Sequence, residues 1–199
     1  MKVEQLSWHE HDGWTGPAAL PGAQLVLAFG SPASFARDAL SAGIAERGPR
    51  AARLGCSTAG QIHGAEVSDE GAVLTAIQFE HTTVRSATAH VTAAESLAAG
   101  ARLALALAGP DLVHVLVLSE GLDINGEALV RGLGGTLPNT VSVTGGLSAD
   151  GEHFRETFVL SDGAPRTNQV AAVGLYGSRL KVGYGSLGGW DSFGPERQI

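Results

Sequence analysis

One run of predicted elements occurs twice in this sequence, and this duplication constrains the fold more than any other feature. The apolar run 24–29 has the length and composition of a buried strand. A helix is predicted at 33–46, opened by a Ser-Pro pair that suits an N-cap followed by the first helical residue. A second short strand then ends at Cys56.

The second half of the chain repeats this order. The run 112–118 predicts a strand, residues 125–133 predict a helix, and a second strand ends at Thr144. We expect the two halves to pack around a pseudo-two-fold axis. The matching positions, 88 residues apart, are Ser31 with Ser119 and Ser57-Thr58 with Gly145-Gly146.

Each half is expected to end in a hairpin of two further strands. The predicted hairpins pair 72–80 with 83–90 and 170–176 with 180–184. The fold class that follows is α/β, with a mixed sheet built from two related βαβ-plus-hairpin halves and flanking helices.

The same pattern sets the expected domain boundaries. Residues 1–23 show no clear hydrophobic period and are predicted to be an irregular leader. Residues 24–199 are predicted to form the domain, with pseudo-repeats at about 24–90 and 112–186.

Composition excludes several functional classes. The net charge is -7 and no run of Lys and Arg occurs, so a nucleic-acid-binding face or an anionic membrane surface has no electrostatic support. Cys56 is the only cysteine, which excludes an internal disulfide framework and a zinc site built on several thiolates. The longest apolar stretches are too short to span a bilayer, and the N-terminus has no signal pattern, so we expect a cytoplasmic protein.

A ligand site is predicted where the Gly-rich strand ends of the two halves meet. Ligands of open α/β sheets bind in a crevice at the carboxyl ends of the strands, and small residues let them approach backbone N–H groups. Backbone N–H groups at the glycines would bind a carboxylate, and Glu120 an ammonium. The predicted ligand-binding residues are Ser57, Thr58, Gly60, Glu120, Gly145 and Gly146.

Two of these residues have alternative interpretations. The run from Gly55 to Ala59 matches a nucleophile elbow, which would make Ser57 the nucleophile of a hydrolase. Because no helix is predicted directly after it, a tight turn of small residues that a ligand can approach is the preferred interpretation. Glu120 lies at a strand-to-helix turn, where a carboxylate commonly caps backbone N–H groups. Cys56 is expected to be a small buried core residue.

Five segments read together resemble the FIST N-terminal domain over roughly residues 24–199. Their order, and the closing segment above all, carry the resemblance. They are Gly55-Cys56-Ser57-Thr58-Ala59-Gly60, the helix opening at 122–129, the runs 143–151 and 154–157, and the closing segment 188–197, which contains Gly188-Gly189-Trp190 and Gly194-Pro195-Glu196-Arg197.

The resemblance implies a sensory domain of signal transduction, without enzymatic activity or cofactor, that binds a small ligand such as an amino acid. It also implies a downstream partner such as a kinase or cyclase, and a FIST C-terminal domain, which usually follows in the family. Some FIST proteins bind haem and sense nitric oxide. A haem-binding nitric-oxide sensor is therefore the alternative function, with His63 as the candidate axial ligand.

Overall fold

The computed structural model describes residues 1–16 and 21–185 and contains two main β-sheets. The first sheet has six strands in the order β11-β4-β3-β7-β1-β2. Its strands are β1 (Lys2–His9), β2 (Gly13–Thr15), β3 (Leu25–Gly30), β4 (Ala52–Ser57), β7 (Ala72–Gln78) and β11 (Val159–Ser161).

The second sheet has four strands in the order β10-β9-β12-β8. Its strands are β8 (Thr83–His90), β9 (Leu112–Ser119), β10 (Ser142–Leu147) and β12 (Gln169–Tyr176). A small separate hairpin contains β5 (Gln61–His63) and β6 (Glu66–Ser68). The helices are α1 (Pro32–Phe35), α2 (Asp38–Arg47), α3 (Ser96–Leu107), which follows a 3-10 turn at Ala93–Glu95, and α4 (Gly126–Gly134).

The two sheets pack face to face, with helices on both outer faces. Alternate residues of a strand point to opposite faces of its sheet, so Leu25 lies in the core between the sheets while Val26 lies beneath α2. On the other side, α3 and α4 cover the second sheet through residues such as Leu103 and Leu133. The result is a four-layer arrangement of helix, sheet, sheet and helix, with three apolar cores between the layers.

The duplication predicted from the sequence is present in the strand pairing. In the first sheet, β3 is parallel to β4 and antiparallel to β7, which is antiparallel to β1. In the second sheet, β9 is parallel to β10 and antiparallel to β12, which is antiparallel to β8. The two halves therefore share one four-strand order, and the α/β class with mixed sheets is confirmed.

The predicted hairpins are wrong, because the fourth strand of each half comes first in the chain. β7 pairs with β1 and β3, and β8 pairs with β12, so β7 and β8 lie in different sheets. The segment 180–184 is not a strand; it begins with a turn in which Leu180 N–H donates to Gly177 O at 3.0 Å. Tight spacing along the sequence indicated a hairpin, but the short connection between β7 and β8 crosses between the sheets.

Residues 1–16, predicted to be part of an irregular leader, instead form β1 and β2. Only Leu6 and Trp8 of β1 are large apolar residues that pack into the core under α2. They alternate with polar residues over too short a distance to give a period, which is why the sequence did not reveal the strand.

The register also differs from the uniform spacing that the sequence suggested. Thr58 N–H donates to Gly30 O at 2.9 Å, and Ser148 N–H donates to Ser119 O at 2.7 Å, so these two pairs are equivalent. It follows that Gly55, rather than Ser57, is the counterpart of Gly145. Loops of different length separate the strands in the two halves, so no single offset holds.

Gly55 and Gly145 each allow two parallel strands to approach closely, one in each half. A Cβ at Gly55 would collide with Ala28 O, and a Cβ at Gly145 would collide with Val117 O, because the neighbouring parallel strand passes close by in each half. Among the described residues, no helix is long and apolar enough to cross a membrane.

We expect Gly55→Ala and Gly145→Ala each to destabilise the domain by about 1–3 kcal/mol, because an added carbon must push two packed strands apart. Gly146→Ala is the matched control, since nothing lies within 4 Å of a Cβ added there. Urea unfolding of the three variants checks this. Equal stability of all three would mean that the close strand approach is not required.

Candidate functional site

Two adjoining clefts open at the carboxyl end of β3, and one of them also reaches the carboxyl end of β4. The cleft of about 440 Å³, here named the strand-end cleft, is lined by Ser31, Pro32, Ala33, Thr58, Ala59, Asp69 and residues 150–153. The other, of about 610 Å³, is lined by residues 9–12, Ser31, Ala33, Ser34, Glu70 and Gly71. Their shared residues, Ser31 and Ala33, make them neighbours at the position where open α/β sheets usually bind ligands.

The turn after β3 forms one wall of the strand-end cleft. Ser31 N–H donates to Gly71 O at 2.9 Å, and Ser31 Oγ accepts from Ser34 N–H at 3.2 Å. The first bond extends the pairing of β3 with β7, and the second caps α1. This wall is therefore held on one side by a backbone hydrogen bond and on the other by a side-chain cap.

The opposite wall comes from the connection that leaves the second sheet after β10. Ala149 N–H donates to Ser57 O at 2.9 Å, which joins this connection to the end of β4. The buried carboxylate of Asp150 accepts from the N–H groups of Phe154, Arg155 and Glu156 at 3.2, 2.6 and 3.1 Å. Hydrogen bonds from these N–H groups, with Arg155 first, lower the pKa of Asp150 against the opposing effect of burial.

Ser57 does not face the cleft. It is 0% exposed, its Oγ accepts from Phe158 N–H at 3.0 Å, and its own N–H donates to Phe158 O at 2.9 Å. This burial gives a substrate no route to the hydroxyl, so the geometry does not support the hydrolase alternative or a ligand contact by Ser57. Its hydroxyl instead joins the segment that leads into β11 to the end of β4, through the hydrogen bond from Phe158.

Thr58 and Gly60 lie on the accessible side of the same turn. Thr58 is half-buried and lines both the strand-end cleft and a neighbouring hollow of about 350 Å³, which Gly60 also lines. Thr58 Oγ1 lies 3.3 Å from Gln61 Oε1, to which it donates. Of the predicted residues in the first half, Thr58 alone reaches the strand-end cleft.

Glu120 acts inside its own loop. It is 2% exposed, and its Oε1 accepts from Leu122 N–H at 2.9 Å and from Asp123 N–H. Its Oε2 accepts from the Thr157 hydroxyl at 3.3 Å. These contacts agree with the capping interpretation. They do not agree with binding of a ligand ammonium, because both carboxylate oxygens are buried and already accept hydrogen bonds.

Gly145 and Gly146 lie elsewhere. They line an apolar groove of about 260 Å³ between β10 and α4, together with Val117, Leu129 and Val130. The structure therefore does not bring these glycines together with Thr58, because the connection 149–158 covers the strand ends of the second half and leaves those of the first half open.

The strand-end cleft carries the groups that a zwitterion needs. Asp69 and Glu152 line it with exposed carboxylates. In the described part of the chain, the N–H groups of Ala59 and Gly151, which also line it, donate no hydrogen bond within the protein. The sequence did not single out these residues, although the pair Asp150-Gly151 lies a few residues after a strand and is typical of a turn.

Several other candidates lie away from the clefts. His63 is half-buried on β5, opposite Glu66, and lines neither cleft, so the haem alternative stays an untested prediction. Cys56 is buried between the sheets, and burial raises the pKa of its thiol to about 12, as a core cysteine requires. Over residues 1–16 and 21–185, no group of three or more His, Cys, Asp or Glu side chains could hold a metal ion.

The comparisons with known proteins agree with the resemblance. A family model described as FIST N domain matches residues 24–199, which confirms the family predicted from the sequence. That family consists of sensory domains of signal transduction. No curated protein matched the chain. The closing segment 188–197 lies outside the described residues.

Asp150→Asn is expected to destabilise the domain by about 1–3 kcal/mol near neutral pH, because a charged acceptor of three N–H groups is lost. The folded pKa of Asp150 is lowered, so its stabilisation is present above the ordinary Asp pKa of about 3.9 and is lost as pH falls through the folded value. Unfolding free energies of both proteins across this range test it. A difference that did not shrink in acid would contradict the assigned role.

Proposed function

Because the chain belongs to the FIST N domain family, we propose that it is a non-enzymatic sensory domain that binds a small zwitterionic metabolite, such as an amino acid, in the strand-end cleft. The proposal rests on one observation: the same cleft contains the N–H donors of Ala59 and Gly151, which have no partner among the described residues, and the carboxylates of Asp69 and Glu152. A single Cys, buried in the core, fits a cytoplasmic location.

The two kinds of group suit the two ends of the ligand. Backbone N–H groups with no partner are good donors to a carboxylate, because a hydrogen bond to an ionised acceptor is strong. Asp69 and Glu152 would attract the ammonium group, and the hydroxyl of Thr58 offers a further polar contact. The cleft has about 440 Å³ of space, which falls within the range of small-molecule sites.

The proposed mechanism uses the origin of the two walls. Ser31 and Thr58 belong to the first half, whereas Gly151 and Glu152 follow the last strand of the βαβ unit in the second half. A ligand that touches both walls binds more tightly when they are close, so it shifts the protein toward that conformation. A partner such as a kinase or cyclase would read the change by contact.

A thermal-shift titration with the individual amino acids tests the proposal. At a hundredfold excess over Kd, binding to the native state alone adds about 2.7 kcal/mol. For a domain of this size, that corresponds to a rise in Tm of about 5–10 °C. An N-acetylated form of the responding amino acid should give a much smaller rise, because it has lost the ammonium group.

Glu152→Gln and Asp69→Asn should each weaken the response by about tenfold in apparent Kd, or ~1.4 kcal/mol. Glu127→Gln is the matched control, because that carboxylate is exposed on α4 and lines neither cleft. The proposal is overturned if no amino acid raises Tm, or if the control weakens binding as much as the two cleft variants.

A further inference from the structure

The outer edge of β4 is occupied by a strand from the same chain. β11 pairs antiparallel with β4, and the register places Leu160 opposite Gly55 and Val159 opposite Cys56. Ser57 N–H donates to Phe158 O at 2.9 Å, and Asp162 N–H donates to Arg53 O at 3.3 Å. The outward-facing backbone groups of β4 are therefore those of Arg53, Gly55 and Ser57.

Among the described residues, the equivalent edge in the second half has no partner strand. β10 is the last strand of its sheet, and within residues 1–16 and 21–185 it pairs only with β9. Because Thr58 and Ser148 are equivalent, the outward-facing N–H and C=O groups of β10 are those of Val143, Gly145 and Leu147. These groups form a row of donors and acceptors ready to pair with another strand.

An apolar groove lies beside this edge, and the corresponding space in the first half is filled by the side chain of Leu160. Leu160, opposite Gly55, is 1% exposed and packs in the core beneath α1 and α2. Opposite Gly145 on the same helix-facing side lies the apolar groove of about 260 Å³ between β10 and α4. The groove is the counterpart of the space that Leu160 fills.

The sequence of β10 does nothing to prevent pairing. Its residues, Ser142–Leu147, include no charged side chain and no proline, which are the usual means of protecting an edge strand. Val130 at the rim of the groove is 58% exposed and Leu147 is 50% exposed. At the opposite edge of this sheet, by contrast, β8 carries Arg85.

We propose that the edge of β10 is a docking site for an extended segment of a partner protein, which adds as an antiparallel strand and places a branched aliphatic side chain in the groove. The chain's own β11 defines this ligand: uncharged, extended, and aliphatic at the position opposite Gly145. Strand addition of this kind takes its affinity from main-chain hydrogen bonds and its specificity from the side-chain pockets beside the edge. The site is separate from the strand-end cleft and does not rest on the ligand proposed for it.

The probe is a fluorescent peptide with the sequence of residues 157–161, which carries no charged side chain, titrated against the full chain by fluorescence anisotropy. Saturable binding is expected, and a peptide with Asp in place of Leu160 should not bind, because the groove is apolar.

Two variants of the chain locate the binding. Val143→Pro removes an outward N–H without removing a bond to β9, and Val130→Glu places a charge at the groove rim. Each should raise the Kd of the peptide at least tenfold. The matched controls are Thr88→Pro on the other edge strand and Leu105→Glu, which replaces an aliphatic side chain 68% exposed on α3; neither should change the Kd.

Three results would overturn the proposal. The first is the absence of saturable binding, and the second is equal binding by wild type, Val143→Pro and Val130→Glu. The third is a dimer in sedimentation that Val143→Pro dissociates, which would assign the edge to a second copy of this chain. If Val143→Pro fails to fold, Val130→Glu decides alone, because an exposed position tolerates the change.

Discussion

The organisation of this domain depends on one crossing of the chain, where the connection leaving β10 is hydrogen-bonded to the end of β4. Ala149 N–H donates to Ser57 O, and Phe158 N–H donates to Ser57 Oγ. These bonds join the second half of the chain to the first sheet and place β11 beside β4. The buried carboxylate of Asp150 shapes the loop between them by accepting three backbone N–H groups. Since Ser57 is fully buried, these bonds are shielded from competition with water.

The same crossing makes two halves of equal topology unequal in what they expose. At the strand ends, it covers the second half through the contact of Thr157 with Glu120 and leaves a cleft above β3 and β4 in the first. At the sheet edges, the effect is reversed: β4 gains a partner strand, whereas β10 has none in the described part of the chain. The crossing therefore leaves one open cleft, in the first half, and one unpaired strand edge, in the second, among the described residues.

The sequence predicted what depends on local pattern and failed where long-range connections decide. The apolar runs and capping residues correctly indicated β3, β9 and α4, and their order revealed the duplication; the helix predicted at 33–46 is divided into α1 and α2. β1 was missed because two buried apolar residues, Leu6 and Trp8, give too short an alternation. The residues of the candidate site were predicted less well than the fold. Ser57 and Glu120 were chosen as polar residues at strand ends, but whether such a residue faces a ligand or a neighbouring loop is set by the crossing, which lies about 30–100 residues away along the chain and leaves no local signal.

The cleft and the edge are also neighbours along the chain, and this bears on how a sensory domain transmits a signal. β10 ends at Leu147, and three residues later Asp150 begins the loop that lines the cleft. A ligand bound at Gly151 and Glu152, as proposed, would act on a segment that is continuous with the edge strand β10. If ligand and partner strand favour the same arrangement of this segment, each must raise the affinity of the other by an equal factor. The continuous segment that runs from the end of β10 into the cleft is the physical link through which such coupling would act.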